Sequence, residues 1–193
     1  MGTEKDGVIE NIRTRRSVRE YTDREVSDDD ILTIIDAGVH APSGFNSQPW
    51  FFVVVKNREM MKRMSDHCKP RLLAQLEEVT DENAIDFKKE LANADFNIFY
   101  DAPVVIMVLG SNAGFTTDYD CSLCAQNMML AAHSLGIGSC WIGTACFIQD
   151  NSEFMAELGI TPNYRVVAPI VFGYAAKEPE EPEKKDPEVV WVR

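Results

Sequence analysis

Apolar positions along the chain recur with helical spacing in some stretches and form dense runs in others. Val8, Ile9 and Ile12 predict a short first helix leading into the basic stretch 13–19. Ile31, Leu32, Ile34, Ile35 and Val39 follow Ser27 and three aspartates, Asp28, Asp29 and Asp30. That is a capped helix start with acids in the first turn, where the helix dipole favours them. Ala41-Pro42-Ser43-Gly44 breaks this helix, and a loop runs to Pro49. Residues 50–55 form an aromatic and β-branched run that predicts a buried strand. Residues 58–98 predict two or three amphipathic helices, and 103–109 a second buried strand. From Cys121 to Gln149 there is no Asp, Glu, Lys or Arg. The first part, 117–135, predicts a helix apolar on nearly every face, hence enclosed on all sides, and in so small a domain that enclosure extends to a partner subunit. Gln126 and Asn127 interrupt the run and argue against a membrane span. A short strand over 138–142, a helix over 152–158 and a core strand over 165–172 follow. Helices around one sheet can be α/β or α+β, and periodicity alone does not choose.

The tail changes character. Residues 177–187 hold Pro179, Pro182 and Pro187 among many Glu and Lys, a composition that prefers extended chain to a packed core. Val189-Val190-Trp191-Val192 then returns to a strand-like apolar pattern. It is either a frayed terminus or an arm that adds a strand to a partner's sheet. With no internal repeat and no linker, residues 1–193 are expected to be a single domain, with 177–193 as a C-terminal arm.

The balance of 19 basic and 31 acidic residues gives a net charge of −12, which excludes a general nucleic-acid binder and makes any local basic patch informative. The five cysteines are odd in number, and the N-terminal residues are polar. Both features point to free thiols in a reducing, cytoplasmic setting. No apolar run approaches the ~20 residues of a membrane helix.

Three segments carry candidate chemistry. Arg13, Arg15, Arg16 and Arg19 surround Ser17, giving four arginines in seven residues of an acidic chain. Guanidinium forks and a hydroxyl suit phosphate oxygens, although arginines at a helix end can also simply offset its dipole. The loop 41–50 contains turn formers, amides and one large aromatic, so it can read the edge of a planar heterocycle or merely form an Asx turn. The glycine-rich stretch 136–144 allows close backbone approach to a ligand but lacks the dinucleotide fingerprint.

In this order and spacing the three segments resemble the nitroreductase family of FMN enzymes, across nearly the whole chain. Arg15, Ser17 and Arg19 match the family's first motif, with Arg16 in its variable slot. Pro42-Ser43 and Asn46-Ser47-Gln48-Pro49-Trp50 match the second, and Gly138 to Thr144 the third. The resemblance implies an α+β fold of the α/β-sandwich type, with a mostly antiparallel central sheet flanked by helices and a C-terminal strand exchanged with the partner subunit. It implies a homodimer with FMN at the interface. Arg15 and Ser17, with Lys184 or Lys185, would hold the phosphate, and Arg16 would lie beside the cofactor through its backbone. Arg19 would face the pyrimidine edge of the flavin. Pro42, Ser43 and Gly44 would come from the other subunit, with Asn46 near the ring or fixing the loop. Backbone N–H groups around Ile142, Gly143 and Thr144 would face the flavin N5. The implied activity is hydride transfer from NADH or NADPH to FMN, then reduction of a small acceptor such as a nitroaromatic or quinone in ping-pong fashion, with no essential acid or base among the side chains. Another flavin reaction on the same scaffold (reductive dehalogenation, flavin cleavage, dehydrogenation) and a non-catalytic flavin carrier are the alternatives. The segment 70–97 lacks Tyr, which weakens a deiodinase-like lid. This chain has Trp141-Ile142-Gly143 where many relatives carry an acidic residue and a glycine after a proline, and where relatives present Lys or Arg just before a proline-led strand, Lys184-Lys185-Asp186-Pro187 can serve, with either lysine in register.

Cys121-x-x-Cys124 has no second pair at zinc spacing and reads as core thiols. His40, His67 and His133 show no ligand spacing, and Met60, Met61, Met64, Met128 and Met129 read as core filler.

Overall fold

The computed structural model describes residues 4–193. Helix α1 (Glu4–Thr14) is followed by α2 (Asp28–Val39), strand β1 (Trp50–Val55), helices α3 (Arg58–Gln75) and α4 (Glu82–Ala92), and strand β2 (Val104–Ser111). Helix α5 (Thr117–Ser134), strand β3 (Gly138–Trp141), helix α6 (Ser152–Glu157) and strand β4 (Tyr164–Gly173) complete the fold. Short 3-10 turns occupy Gly44–Asn46 and Gly143–Asp150. The strand order is β1-β2-β4-β3 and each pairing is antiparallel, so the fold is α+β.

Both faces of the sheet are covered. On β2, Val105, Met107 and Leu109 pack with Met61, Met64 and Cys68 of α3, whereas Val104, Ile106 and Val108 pack with Ile31 and Ile34 of α2 and Cys121, Cys124 and Met128 of α5. This double burial is why β2 reads as an unbroken apolar run rather than an alternating one. Burial of each such side chain contributes about 1.5–3 kcal/mol. A bulge interrupts β2–β4: Val108 faces Ala168 but Leu109 faces Val166, so Val167 is skipped. Val166 therefore joins the α3 side while Ala168, Ile170 and Phe172 join the α5 side.

Helix caps follow the sequence. The Ser27 side chain accepts from the Asp30 N–H at 3.1 Å, and Asn57 and Asp81 cap α3 and α4 in the same manner. Three expectations change in the single chain. Strand β1 is not a buried strand but an edge strand, with Phe51 and Val54 each 40 % exposed. Helix α5 is not enclosed all round, since Tyr119 is 73 % and Leu123 is 47 % exposed. The residues 189–192 form no strand, and Val190 and Trp191 lie in solvent. No described helix is long and apolar enough to cross a membrane.

Helix α5 lies close to its neighbours through two glycines. A Cβ at Gly110 would stand 2.4 Å from Thr117 Cγ2 and 2.9 Å from Val167 Cγ2; at Gly38 it would meet Met128 Cγ at 2.7 Å. The first pair of contacts is to stiff β-branched side chains. Gly110→Ala is therefore expected to lower stability by about 1–3 kcal/mol, measured as a reduced urea midpoint at unchanged slope.

Candidate functional site

The arginine segment runs along the edge of β3. Ser17 forms an isolated parallel bridge with Ser139, Val18 N–H donates to the Ser139 carbonyl at 3.0 Å, and Tyr21 bridges to Ala175. Gly138 makes this approach possible, because a Cβ there would lie 2.5 Å from Val18 Cγ2. Arg15 still bonds back into α1, its N–H donating to the Asn11 carbonyl at 3.2 Å, and the chain is extended from Ser17 on, so Ser17 and Arg19 share one side and Val18 takes the other. A cavity of about 330 Å³ is lined by Thr14, Arg15, Arg16, His133 and Gly136 to Ser139. A second, of about 190 Å³, is lined by Ser17, Arg19, Glu20 and Lys177 to Glu180. Glu178 and Pro179 border both.

The charges here are held by short contacts. Arg16 donates to the carbonyls of Arg13 and Arg15 and pairs with Glu181 at 3.0 Å. The Thr14 hydroxyl donates to the Glu10 carbonyl at 2.8 Å, so it accepts from His133 Nε2–H at 2.9 Å. Burial and the neighbouring Arg15 and Arg16 hold the His133 imidazole below its ordinary pKa. Burial raises the Cys140 thiol and the Tyr100 phenol, and Arg19 opposes the rise at both. Ser139 is 1 % exposed and its Oγ has no hydrogen-bond partner among the described residues. It lines the larger cavity together with Arg15 and Arg16, a donor set that suits an oxyanion.

The third motif sits just past β3. Ile142 N–H donates to the Pro169 carbonyl at 2.8 Å, and Ala145 N–H closes the first 3-10 bond, to Ile142 O, at 2.9 Å. Among the described hydrogen bonds none uses the N–H groups of Gly143 and Thr144, which precede that bond. A Cβ at Gly143 would meet nothing closer than Trp141 Nε1 at 3.9 Å, so the surface there is open to a planar group.

The second motif lies elsewhere. Phe45, Asn46 and Gln48 have φ of 54°, 55° and 44°, left-handed values that cost of order 1 kcal/mol or more for non-glycine residues. Ser43 Oγ accepts from Gln48 N–H at 3.0 Å, and Gln48 Nε2 donates to Asn46 Oδ1 at 3.2 Å. The turn is anchored at the start of α5, where Gly44 N–H donates to Asp120 Oδ1 at 3.0 Å. The arginine segment meets the other end of α5, at His133. Asp120 and His133 are thirteen positions apart on that helix, roughly 20 Å at ~1.5 Å per residue. The structure thus brings Arg15 to Arg19 together with Gly138 and Ser139, and sets Pro42, Ser43, Gly44 and Asn46 apart from them within one chain. Lys184 and Lys185 lie on the exposed tail outside both cavities, and Lys177 is the tail cation that lines the smaller one.

Sequence reasoning did not single out Thr14, Tyr100 or Asp120; it took up His133 only as a metal ligand and set it aside, and covered Ser139 only as part of the third motif. Asp120 carried only the signal of an acid near a helix start, shared with Asp118. Among the described residues no group of three or more His, Cys, Asp or Glu is placed to hold a metal ion.

A helix-covered antiparallel sheet with an arginine-serine strand, a glycine-rich edge and outward N–H groups defines a protein suited to a phosphorylated planar ligand. The sequence profile of the nitroreductase family matches residues 12–174, and the chain belongs to that family. It is 35 % identical over 173 residues to a provisionally named NADH dehydrogenase/NAD(P)H nitroreductase of Archaeoglobus fulgidus, covering 88 % of this chain and 86 % of the relative. Among solved structures it resembles a nitroreductase with bound FMN from Bacteroides fragilis, at TM-score 0.79 and 28 % identity with both chains covered in full. A nitroreductase with bound FMN from Desulfitobacterium hafniense gives TM-score 0.78 at 30 % identity, covering 98 % of this chain and 100 % of that one.

The cysteines are free thiols, four of them buried. Burial pushes Cys68, Cys121 and Cys124 up to about 12. Raised folded values favour the folded state below the ordinary thiol range, and that contribution is lost as pH climbs toward 12. Native protein at pH 8 is expected to leave these three thiols unlabelled by Ellman's reagent, and the urea midpoint is expected to fall between pH 9 and 11. Rapid labelling of Cys121 or Cys124 would contradict the core assignment.

Proposed function

We propose that this chain is an FMN-dependent NAD(P)H oxidoreductase that reduces small electron-poor acceptors, nitroaromatics or quinones, in ping-pong fashion as a homodimer. The observation that carries this reading is the Arg15–Arg19 segment clasped to β3 through Ser17 and Val18 at Ser139 and Gly138, with an orphaned buried hydroxyl beside it. The donor set fits FMN: Arg15 and Ser17 take the phosphate as charge-assisted donors, and Arg16 lines the same place through its backbone. The acidic tail already supplies Lys177, and the arm brings Lys184 or Lys185 when drawn across the site. Arg19 faces the pyrimidine edge, where a fixed cation favours negative charge in a water-poor cleft. Gly143 and Thr144 offer backbone donors with no titrating side chain, which keeps orientation independent of pH; Ile142 is held to Pro169 and sets their position. Bound FMN supplies hydride acceptance from NAD(P)H and delivery of electrons to the acceptor. No side chain is required as acid or base; the proton comes from water or the substrate.

The dimer rests on geometry and on exposed apolar surface. Pro42, Ser43, Gly44 and Asn46 stand at one end of α5 and the arginines at the other, so a two-fold partner with antiparallel α5 joins what one chain separates. Val8, Ile9, Ile12, Phe115, Tyr119 and Leu123 are exposed on α1, α5 and the turn before it, enough apolar surface to call for a cover. The arm 177–193, ending in Val189 to Val192, adds its strand to the partner's sheet. Free thiols suit a reducing cytoplasm.

The protein is expected to purify yellow and to oxidise NADH or NADPH faster than free FMN when given nitrofurazone or menadione; turnover no higher than free FMN would overturn the reductase reading. Arg15→Ala with Ser17→Ala is expected to weaken FMN binding at least a hundredfold, since two charge-assisted hydrogen bonds contribute about 3–6 kcal/mol. The double variant should keep its circular dichroism and emerge colourless from gel filtration.

A further inference from the structure

Asp120 is one of the few charged residues inside the protein, at 4 % exposure, and no cation pairs with it among the described ion pairs. Both of its carboxylate oxygens are nevertheless used. Oδ1 accepts the Gly44 N–H at 3.0 Å, and Oδ2 accepts the Thr116 hydroxyl at 2.9 Å. Its own N–H donates to the Thr116 carbonyl at 2.9 Å, which closes the first turn of α5 around it. The carboxylate thus ties a helix start to a loop seventy-six residues earlier. Thr116 also forms the floor under Gly44: a Cβ on that glycine would stand 2.6 Å from Thr116 Oγ1. Only a glycine lets the turn sit this close.

Beyond the anchor the turn is held mainly by itself. Phe45 is 95 % exposed, and three residues in four from Phe45 to Gln48 have left-handed backbone. Such a conformation persists only where its ends are fixed. The Ser43-to-Gln48 hydrogen bond closes the turn, but Asp120 attaches it to the body of the protein.

We propose that Asp120 is a positioning residue acting in trans: its buried carboxylate fixes the 42–48 turn in the shape that a second copy of the chain needs to complete its flavin site. This rests on the dimeric FMN reading above. Asp120 touches neither cofactor nor substrate; it works through Gly44. Asp120 lies in the first turns of α5, where the helix dipole favours an acidic side chain.

The test uses full-length Asp120→Ala, Asp120→Asn and Thr116→Val, with FMN content and affinity read by absorbance and fluorescence quenching. Asp120→Ala is expected to remain dimeric and folded while FMN affinity falls at least tenfold. Asp120→Asn restores most of that loss, because the amide oxygen still accepts from Gly44 and its NH₂ donates to a reoriented Thr116 hydroxyl. If Asp120→Ala does not fold, Thr116→Val carries the test: it removes one anchor bond at nearly constant volume and should weaken FMN several-fold, and wild-type affinity in it then overturns the proposal.

Mixed dimers separate this idea from the reading beneath it. A subunit with Asp120→Ala is paired, through distinct tags, with one carrying Arg15→Ala and Ser17→Ala. Action in trans gives one intact site, made of the first subunit's arginines and the second's turn, so one tight FMN per dimer returns. An empty mixed dimer overturns action in trans. Wild-type affinity in the Asp120→Ala homodimer overturns the role of Asp120 and leaves the phosphate assignment standing, whereas retained FMN in the arginine-serine homodimer defeats that assignment instead.

Discussion

Everything that positions the site depends on how closely α5 can approach the sheet and α2. The approach is set by two missing side chains, at Gly110 and Gly38, which allow Thr117, Cys121, Cys124 and Met128 to reach backbone. Contacts this short leave no slack for α5 to slide or rotate, because interiors are packed to near crystal density. Its two ends are thereby fixed in the frame of the sheet. One end holds Asp120 and the 42–48 turn; the other holds His133 and, through Gly136 and Ile137, hands the chain to β3. The distance between the arginine strand and the turn is then a property of one packed helix.

The local electrostatics run against the overall charge. An acidic protein keeps a cationic segment by setting it against backbone carbonyls and a tail carboxylate. Arg16 is satisfied by two carbonyls and Glu181, while Arg15 and Arg19 are left to act on Cys140, Tyr100 and His133. The tail that supplies Glu181 also supplies Glu178 and Glu180 around the two cavities. In the single chain the acidic tail therefore lies where an anionic ligand would bring its own charge. Such a contact holds the Arg16 guanidinium against the tail in the single chain.

Much of this was legible before any coordinates. Ser27 with Asp28 to Asp30 announced α2, and the apolar runs announced β1, β2 and β4 to within two residues, although β1 is a partly exposed edge strand rather than a buried one. The arginine-serine segment and the Pro42–Trp50 turn were legible as chemistry because their residue types are rare together. Other features have no local signature. The 3-10 turns of Gly143–Asp150 carry no period, and the bulge at Val167 shows only once β2 gives the register. The helix α5 reads as apolar on every face, yet the chain covers only part of it, leaving Tyr119 and Leu123 exposed. Asp120 was invisible for a different reason. Its neighbour Asp118, two residues earlier, looks equivalent in sequence, but it turns outward to Arg165 while Asp120 turns inward to Gly44.

That contrast explains why a short side chain with two hydrogen-bonding ends belongs at 120. A buried charge is tolerated when each oxygen is satisfied and a helix N-terminus lies behind it. A serine there could not span both Gly44 and Thr116, and a glutamate would add a methylene in a space already limited by Gly44 and Thr116. Aspartate has the reach and the two acceptors that the junction requires. In the proposed dimer each α5 then serves two sites at once, presenting a turn to the partner's flavin from its first turn and supporting its own arginines from its last. A disturbance in the packing of one helix is shared between both sites, which gives the tight glycine contacts along α5 a functional as well as a structural reason.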